Sequence, residues 1–229
     1  MELYERIEHF KDEIVKVFSS RVECILLTGS VAREEIREKS DIDIWVFLDE
    51  IKFEDLYKVS EVVKNFPKEP KINPQVTTFK ECLLPNFTRE YSPIQYNTDG
   101  KVLYGKLKVP YPKREEFLES SKNLAAYIIM GIRHFITIDE NEKSLLSKKL
   151  LKRILKPLTW ALRYKYAGIK GKYILDLEKL KDEASEEEIY VIDIFQNLLL
   201  GNYDIYEGKV SIILEKTYNL CKNLMYSEY

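Results

Sequence analysis

Two apolar runs, Val22 to Thr28 and Ile42 to Leu48, joined by a short polar connection, constrain this chain more than any other part of it. Each run is rich in β-branched and aliphatic residues. The first is closed by Gly29 and the second opened by Ser40, so each reads as a buried strand entering or leaving a tight connection. Successive side chains of a strand point to opposite faces, so Asp41 and Asp43 project side by side while Ile42 and Ile44 turn to the core. Two carboxylates at that spacing can hold divalent cations.

Gly29 has a matching physical role, because a residue without a Cβ takes positive φ and lets the backbone come close to a phosphate. Ser30 follows with a hydroxyl and an N–H. A short helix over Val31 to Ile36 would place free N–H groups over the same spot and favour an anion there. The pattern predicts a triphosphate cradled by the Gly29-Ser30 turn and bridged through Mg²⁺ to Asp41 and Asp43, with two ions accommodated if the site is complete.

Gly29-Ser30, ten intervening residues and Asp41-x-Asp43 resemble the signature of the DNA polymerase β-like nucleotidyltransferase superfamily. Gly-Ser-Val-Ala-Arg and Ser-Asp-Ile-Asp-Ile are similar to the minimal and kanamycin-type antibiotic-modifying members in particular. One departure is Glu34, where a Gly often follows the Arg. The resemblance implies an α/β (α+β) nucleotidyltransferase domain with a mixed sheet, followed by an all-α helical bundle. It implies Mg²⁺-dependent transfer of NMP from an NTP, with ATP the expected donor, to a hydroxyl of a small molecule or a protein. Asp41 and Asp43 would be the catalytic and metal-holding residues, Gly29 and Ser30 the contacts to the β and γ phosphates, and Arg33 a candidate phosphate partner. The superfamily also uses a third carboxylate on a neighbouring strand. Here the segment Pro74 to Phe79 offers Gln75, and an amide neither ionises nor takes up a proton at neutral pH. Glu69 and Glu81 lie outside that segment. The alternative is therefore a nucleotide-binding, regulatory or antitoxin-like module with weak turnover.

A length of 229 residues, with 45% hydrophobic and 32% charged residues, fits a globular protein of one large or two modest domains. The net charge of −2 offers no basic field of the kind nucleic-acid binders use, which makes a nucleic-acid substrate unlikely and leaves small-molecule or protein acceptors. Three cysteines, far apart and without a Cys-x-x-Cys pair, fit reduced thiols in a cytoplasmic protein. The N-terminus lacks an apolar signal core, and the longest apolar run is too short for a membrane span. Abundant Lys, Glu, Ile and Tyr with only three Gln lean toward a thermophile. A homodimer is compatible with the sequence, which carries no signal for or against it.

Leu3, Ile7, Phe10, Ile14, Val17 and Phe18 recur at helical spacing and predict a helix over residues 2 to 19 that covers the first strand. A second helix is expected from Phe53 to Phe66, a strand from Pro74 to Phe79, a capping box from Thr78 to Glu81, and a last strand from Lys101 to Gly105 after the Asp99-Gly100 turn. Pro85 should limit the helix that opens at Thr78. The nucleotidyltransferase domain is assigned to residues 1–108. Val109-Pro110-Tyr111-Pro112 reads as a stiff connector. Residues 113–229 form the bundle, which would bind substrate or partner. Its expected stripes are Phe117, Ser121, Leu124, Ile128, Ile132 and Phe135; Leu146, Leu150, Ile154, Leu158 and Leu162, kinked at Pro157; and Val210, Ile213, Leu214, Cys221 and Leu224. Ser185 with Glu188 should cap another helix. Glu115, Glu116 and Glu119 are candidate bases from the bundle. His134 is expected in the core or at an interface, and no Arg and His lie at the spacing of a ribonuclease pair.

Overall fold

The computed structural model describes residues 2–35, 40–84, 94–137, 140–206 and 208–228, with the backbone alone over residues 140–149. The chain divides into two compact units, Met1–Pro112 and Lys113–Tyr229.

The first unit opens with α1, Leu3–Phe18, a 3₁₀ turn over Ser19–Arg21, and β1, Val22–Thr28. Then come α2, Gly29–Ala32, β2, Ile42–Leu48, α3, Phe53–Lys64, and β3, Ile72–Thr77. Two short helices, α4 (Phe79–Cys82) and α5 (Ile94–Thr98), precede β4, Lys101–Gly105. The four strands form a mixed sheet in the order β3-β2-β1-β4, in which β1 runs antiparallel to β2 and β4 and β2 runs parallel to β3.

The two central strands are apolar at nearly every position because both sheet faces are covered. On one face Ile25 and Leu27 of β1 and Ile42, Ile44 and Val46 of β2 pack with Ile7, Phe10 and Ile14 of α1 and Val59 and Val62 of α3. On the other, Cys24, Leu26, Trp45 and Phe47 meet Phe79, Cys82 and Tyr96, with the Phe47 and Phe79 rings stacked 4.5 Å apart. Each such buried side chain contributes about 1.5–3 kcal/mol relative to exposure. Polar ties fix the periphery. Arg6, buried on α1, donates to the carbonyls of Pro67, Glu69 and Pro70 and so holds the α3–β3 connection. Arg21 forks onto both carboxylate oxygens of Asp55, at 3.1 and 2.8 Å, and its guanidinium holds that carboxyl well below the usual range.

The second unit is helical: α6 (Arg114–Thr137), α7 (Glu140–Lys170), α8 (Leu177–Lys181), α9 (Glu186–Leu199) and α10 (Val210–Tyr226). The stripes on α6 and α10 turn inward as their spacing requires, with Phe117, Ser121, Ile128, Ile132 and Phe135 buried on α6 and Ile213, Leu214, Cys221 and Leu224 on α10. On α7, which continues through Pro157 to Lys170, Ile154, Leu158 and Leu162 are buried; Leu146 lies outside the described side chains. Ser185 and Glu188 form a reciprocal capping box at the start of α9. The Glu188 carboxylate, buried, also accepts from Lys165 Nζ and the Tyr166 hydroxyl, both at 2.7 Å. Burial pushes its carboxyl up, but Lys165, the Ser185 N–H and Tyr166 outweigh that and hold it below its ordinary value. His134 is exposed on α6, not in the core, because the buried stripe passes through Ile132 and Phe135 on the opposite side of the helix. Among the described residues, no helix is long and apolar enough to cross a membrane.

Candidate active site

The site lies where β1 ends opposite the start of β2. Antiparallel pairing sets Thr28 against Asp43, so the residue after Thr28 arrives beside the Asp43 side chain. That residue is Gly29, at φ +73°, and the space a Cβ would fill is taken by the Asp43 carboxylate: a Cβ built there overlaps Oδ2 and lies 3.2 Å from Cγ. Both requirements, a left-handed backbone and no side chain, select glycine. Ser30 lies in the single turn of α2, half-buried, and its carbonyl accepts the Glu35 N–H at 2.9 Å. Asp41 immediately precedes β2 and is exposed, Asp43 is half-buried, and strand alternation puts both on one face.

The helix expected over Val31–Ile36 is instead α2, Gly29–Ala32; it stops because Arg33 closes the turn and Glu34 follows at φ +61°, while residues 36–39 are outside the described set. Glu34 thus adopts the conformation for which a glycine would be favoured, and its carboxylate pairs with Lys101 Nζ at 2.8 Å. Arg33 does not extend into open solvent. Its side chain is buried, with Nε 2.9 Å from Glu35 and one terminal nitrogen 3.0 Å from the buried Asp99. That pair ties the turn after β1 to the turn before β4.

On the neighbouring strand, Asn73 stands opposite Asp43 and Gln75 opposite Trp45. Asn73 Nδ2 donates to Asp43 Oδ1 at 3.0 Å. Gln75 is half-buried and, two residues along the same strand, shares the face of Asn73. Asn73 was not singled out by the sequence, although period-two alternation back from Gln75 points to it once the strand is known to start at Ile72. Glu69 is exposed, and Glu81 has its carboxylate on the backbone N–H and hydroxyl of Thr78, completing the α4 capping box. Glu115, Glu116 and Glu119 are exposed on α6 in the second unit, where Glu116 accepts the Lys113 N–H. Among the described residues, no group of three or more His, Cys, Asp or Glu side chains converges. The cysteines are free and buried, and burial pushes the thiols of Cys24 and Cys82 up to about 11 and that of Cys221 up to about 12, so none supplies a thiolate nucleophile at neutral pH.

Residues 12–106 match the family model described as polymerase beta, nucleotidyltransferase. The first unit carries that nucleotidyltransferase domain. The matched span includes both central strands, the Gly29 turn, the Asp pair, β3 and β4. A crystal structure of spectinomycin adenyltransferase from Enterococcus faecialis, with ATP and spectinomycin, is similar in fold at a TM-score of 0.52 and 15% sequence identity. The likeness covers 96% of this chain and 100% of that one, so the nucleotidyltransferase fold followed by a helical region is common to both. No curated protein matches the sequence significantly.

Proposed function

We propose that the protein is a Mg²⁺-dependent nucleotidyltransferase that moves NMP from a nucleoside triphosphate, with ATP the donor, to a hydroxyl of a small molecule or a protein side chain. The observation that carries this reading is the contact between the Gly29 turn and the Asp43 carboxylate, where backbone free of any Cβ meets a metal-type ligand. The donors suit the ion: Asp41 and Asp43 offer hard carboxylate oxygens on one face, as magnesium prefers, and the matched family also supports this choice. When bound, Mg²⁺ neutralises phosphate charge and stabilises the negative charge that develops on the leaving group.

The chain's own residues account for the rest. Gly29 would admit the phosphates to the backbone, Ser30 would offer its hydroxyl and N–H, and Asp41 and Asp43 would hold the ion. Arg33, engaged with Glu35 and Asp99, anchors the turn and is the candidate phosphate partner beside it. The acceptor oxygen attacks the α-phosphorus, the new P–O bond forms as the α–β bridge breaks, pyrophosphate leaves, and the hydroxyl proton passes to a base. Gln75 and Asn73 are amides and cannot take it. Glu115, Glu116 and Glu119 are the first candidates for the base. Residues 113–229 are assigned to acceptor or partner binding. The adenyltransferase of similar fold was solved with a small-molecule acceptor, and the net charge of −2 disfavours nucleic acid.

The lack of a three-acid cluster among the described residues favours one second reading, a nucleotide-binding regulatory or antitoxin-like module with little turnover. Incubation with labelled ATP, Mg²⁺ and a metabolite pool tests transfer. Calorimetry with and without chelator tests the ion, and ATP binding that is unchanged by chelator or in the Asp41→Asn, Asp43→Asn double variant would refute the metal site. Gln75→Glu separates the readings. If transfer rises toward the roughly 10²- to 10⁴-fold that a general base contributes, the parent is the weak module; if an already active parent slows, its base lies elsewhere.

A further inference from the structure

We propose that Asn73 is the positioning residue of the Asp pair: from the neighbouring strand it fixes the plane of the Asp43 carboxylate and turns Oδ2 toward the phosphate turn before any ion arrives. The inference rests on the metal-site reading above and extends it to a residue outside the Gly-Ser and Asp-x-Asp pattern.

Three features converge. The backbone of Asn73 is stiff, because the residue before a proline is restricted to extended conformations and Pro74 follows. Pro74 costs the sheet little, since β3 is an edge strand and a proline there can direct its missing N–H outward. The parallel register then presents Asn73 directly beside Asp43 on the shared face. Second, an ionised carboxylate only accepts, so the amide must offer Nδ2, and the 3.0 Å contact occupies Oδ1. Third, Oδ2 is the oxygen that faces Gly29, since it is the atom a Cβ there would strike. The terminal torsion of an aspartate is broad and two-fold, so one fixed neighbour on one oxygen is what distinguishes the two oxygens. A carboxylate at position 73 would repel Asp43 until an ion bound; the amide holds the same place without charge, so the arrangement exists in the free protein.

The test uses the full chain and calorimetric titration with Mn²⁺ alone and with Mn²⁺ plus ATP, alongside thermal melts. Asn73→Ala should weaken Mn²⁺–ATP binding roughly ten-fold, the effect of losing a hydrogen bond to a charged group, while the protein stays folded. Asn73→Asp keeps the shape but replaces the donor with a second acceptor, and should bind Mn²⁺ alone roughly ten-fold more tightly than the parent while melting lower without metal. If Asn73→Ala does not fold, Asn73→Asp decides. A residue that only braces the sheet would lower melting temperatures without moving either affinity. The proposal is overturned if both variants bind Mn²⁺ and Mn²⁺–ATP within about a factor of two of the parent while the Asp41→Asn, Asp43→Asn variant has lost binding. If that double variant also binds like the parent, the underlying metal-site reading fails instead.

Discussion

Gly29→Ala probes the site at its tightest point. The added methyl meets two separate penalties. Holding a side chain at φ +73° costs roughly 1–2 kcal/mol, offset by about 0.4–1 kcal/mol because alanine also narrows the unfolded ensemble. The second arises because the new Cβ overlaps Asp43 Oδ2, whereas ordinary contact needs about 3.5 Å. The carboxylate must swing on the order of 1 Å, which strains or breaks its bond from Asn73, a loss of about 1.5–3 kcal/mol. The net is about 2–4 kcal/mol, or roughly 5–15 °C in melting temperature for a chain of this size. In an Asp43→Ala background the clash with the carboxylate is gone and what remains is the backbone penalty with a 3.3 Å approach to the retained Cβ, so the same substitution should cost about 1–2 kcal/mol, and the cycle should show a coupling of about 1–2 kcal/mol. Thermal melts of the four proteins give the cycle, and calorimetry gives Mg²⁺–ATP affinity, which should fall in Gly29→Ala because the methyl blocks backbone approach and displaces the Asp43 carboxylate. Ser30→Ala should be far milder. Equal costs in both backgrounds, together with parent-like ATP binding, would refute the idea that the turn and the carboxylate share one tight space.

Arg33→Met should destabilise by about 3–5 kcal/mol because it strands the buried Asp99, and Arg33→Met with Asp99→Leu should recover most of that in denaturant melts. If the double variant binds ATP like the parent, Arg33 is an anchor; a loss of affinity in a fully stable double variant would make it a phosphate contact. Glu188 has a depressed carboxyl in the folded chain, so it contributes stability above the ordinary glutamate pKa that is lost as the pH falls through the folded value. Glu188→Gln should therefore melt lower than the parent at neutral pH, by roughly 1–3 kcal/mol, with the gap closing in acid; a gap independent of pH would show that the ion pair with Lys165 is not the source.

Both central strands were legible to the residue, Val22–Thr28 and Ile42–Leu48, because seven-residue runs rich in β-branched and aliphatic residues, one closed by a Gly and one opened by a Ser, favour strand over helix. The Gly29 turn and the Asp pair followed from them, and the capping boxes at Thr78 and Ser185 were read from side chains that satisfy backbone N–H groups locally. Strand β3 was less legible. The expected span is Pro74 to Phe79, whereas β3 runs Ile72–Thr77, two residues earlier at each end, since an edge strand tolerates a proline within it. That shift of two residues brought in Asn73, which no motif marked. The tie from Arg33 to Asp99 was not legible, because Asp99 is 66 residues away and no spacing rule connects them. The helix after Gly29 is shorter than its composition predicts because a Glu is not a recognised stop, yet Glu34 takes a left-handed backbone there.

The pairing of Thr28 with Asp43 carries a consequence for how such a site comes into being. Side chains on a strand alternate strictly, so sliding β2 by a single residue against β1 would exchange its two faces, setting Asp43 toward the α1 and α3 side and Ile44 toward the side of Trp45 and Phe47. The arrangement that buries Ile42, Ile44 and Val46 is therefore the same one that delivers the carboxylate to the turn. One register therefore sets both the packing of β2 and the approach of Asp43 to Gly29.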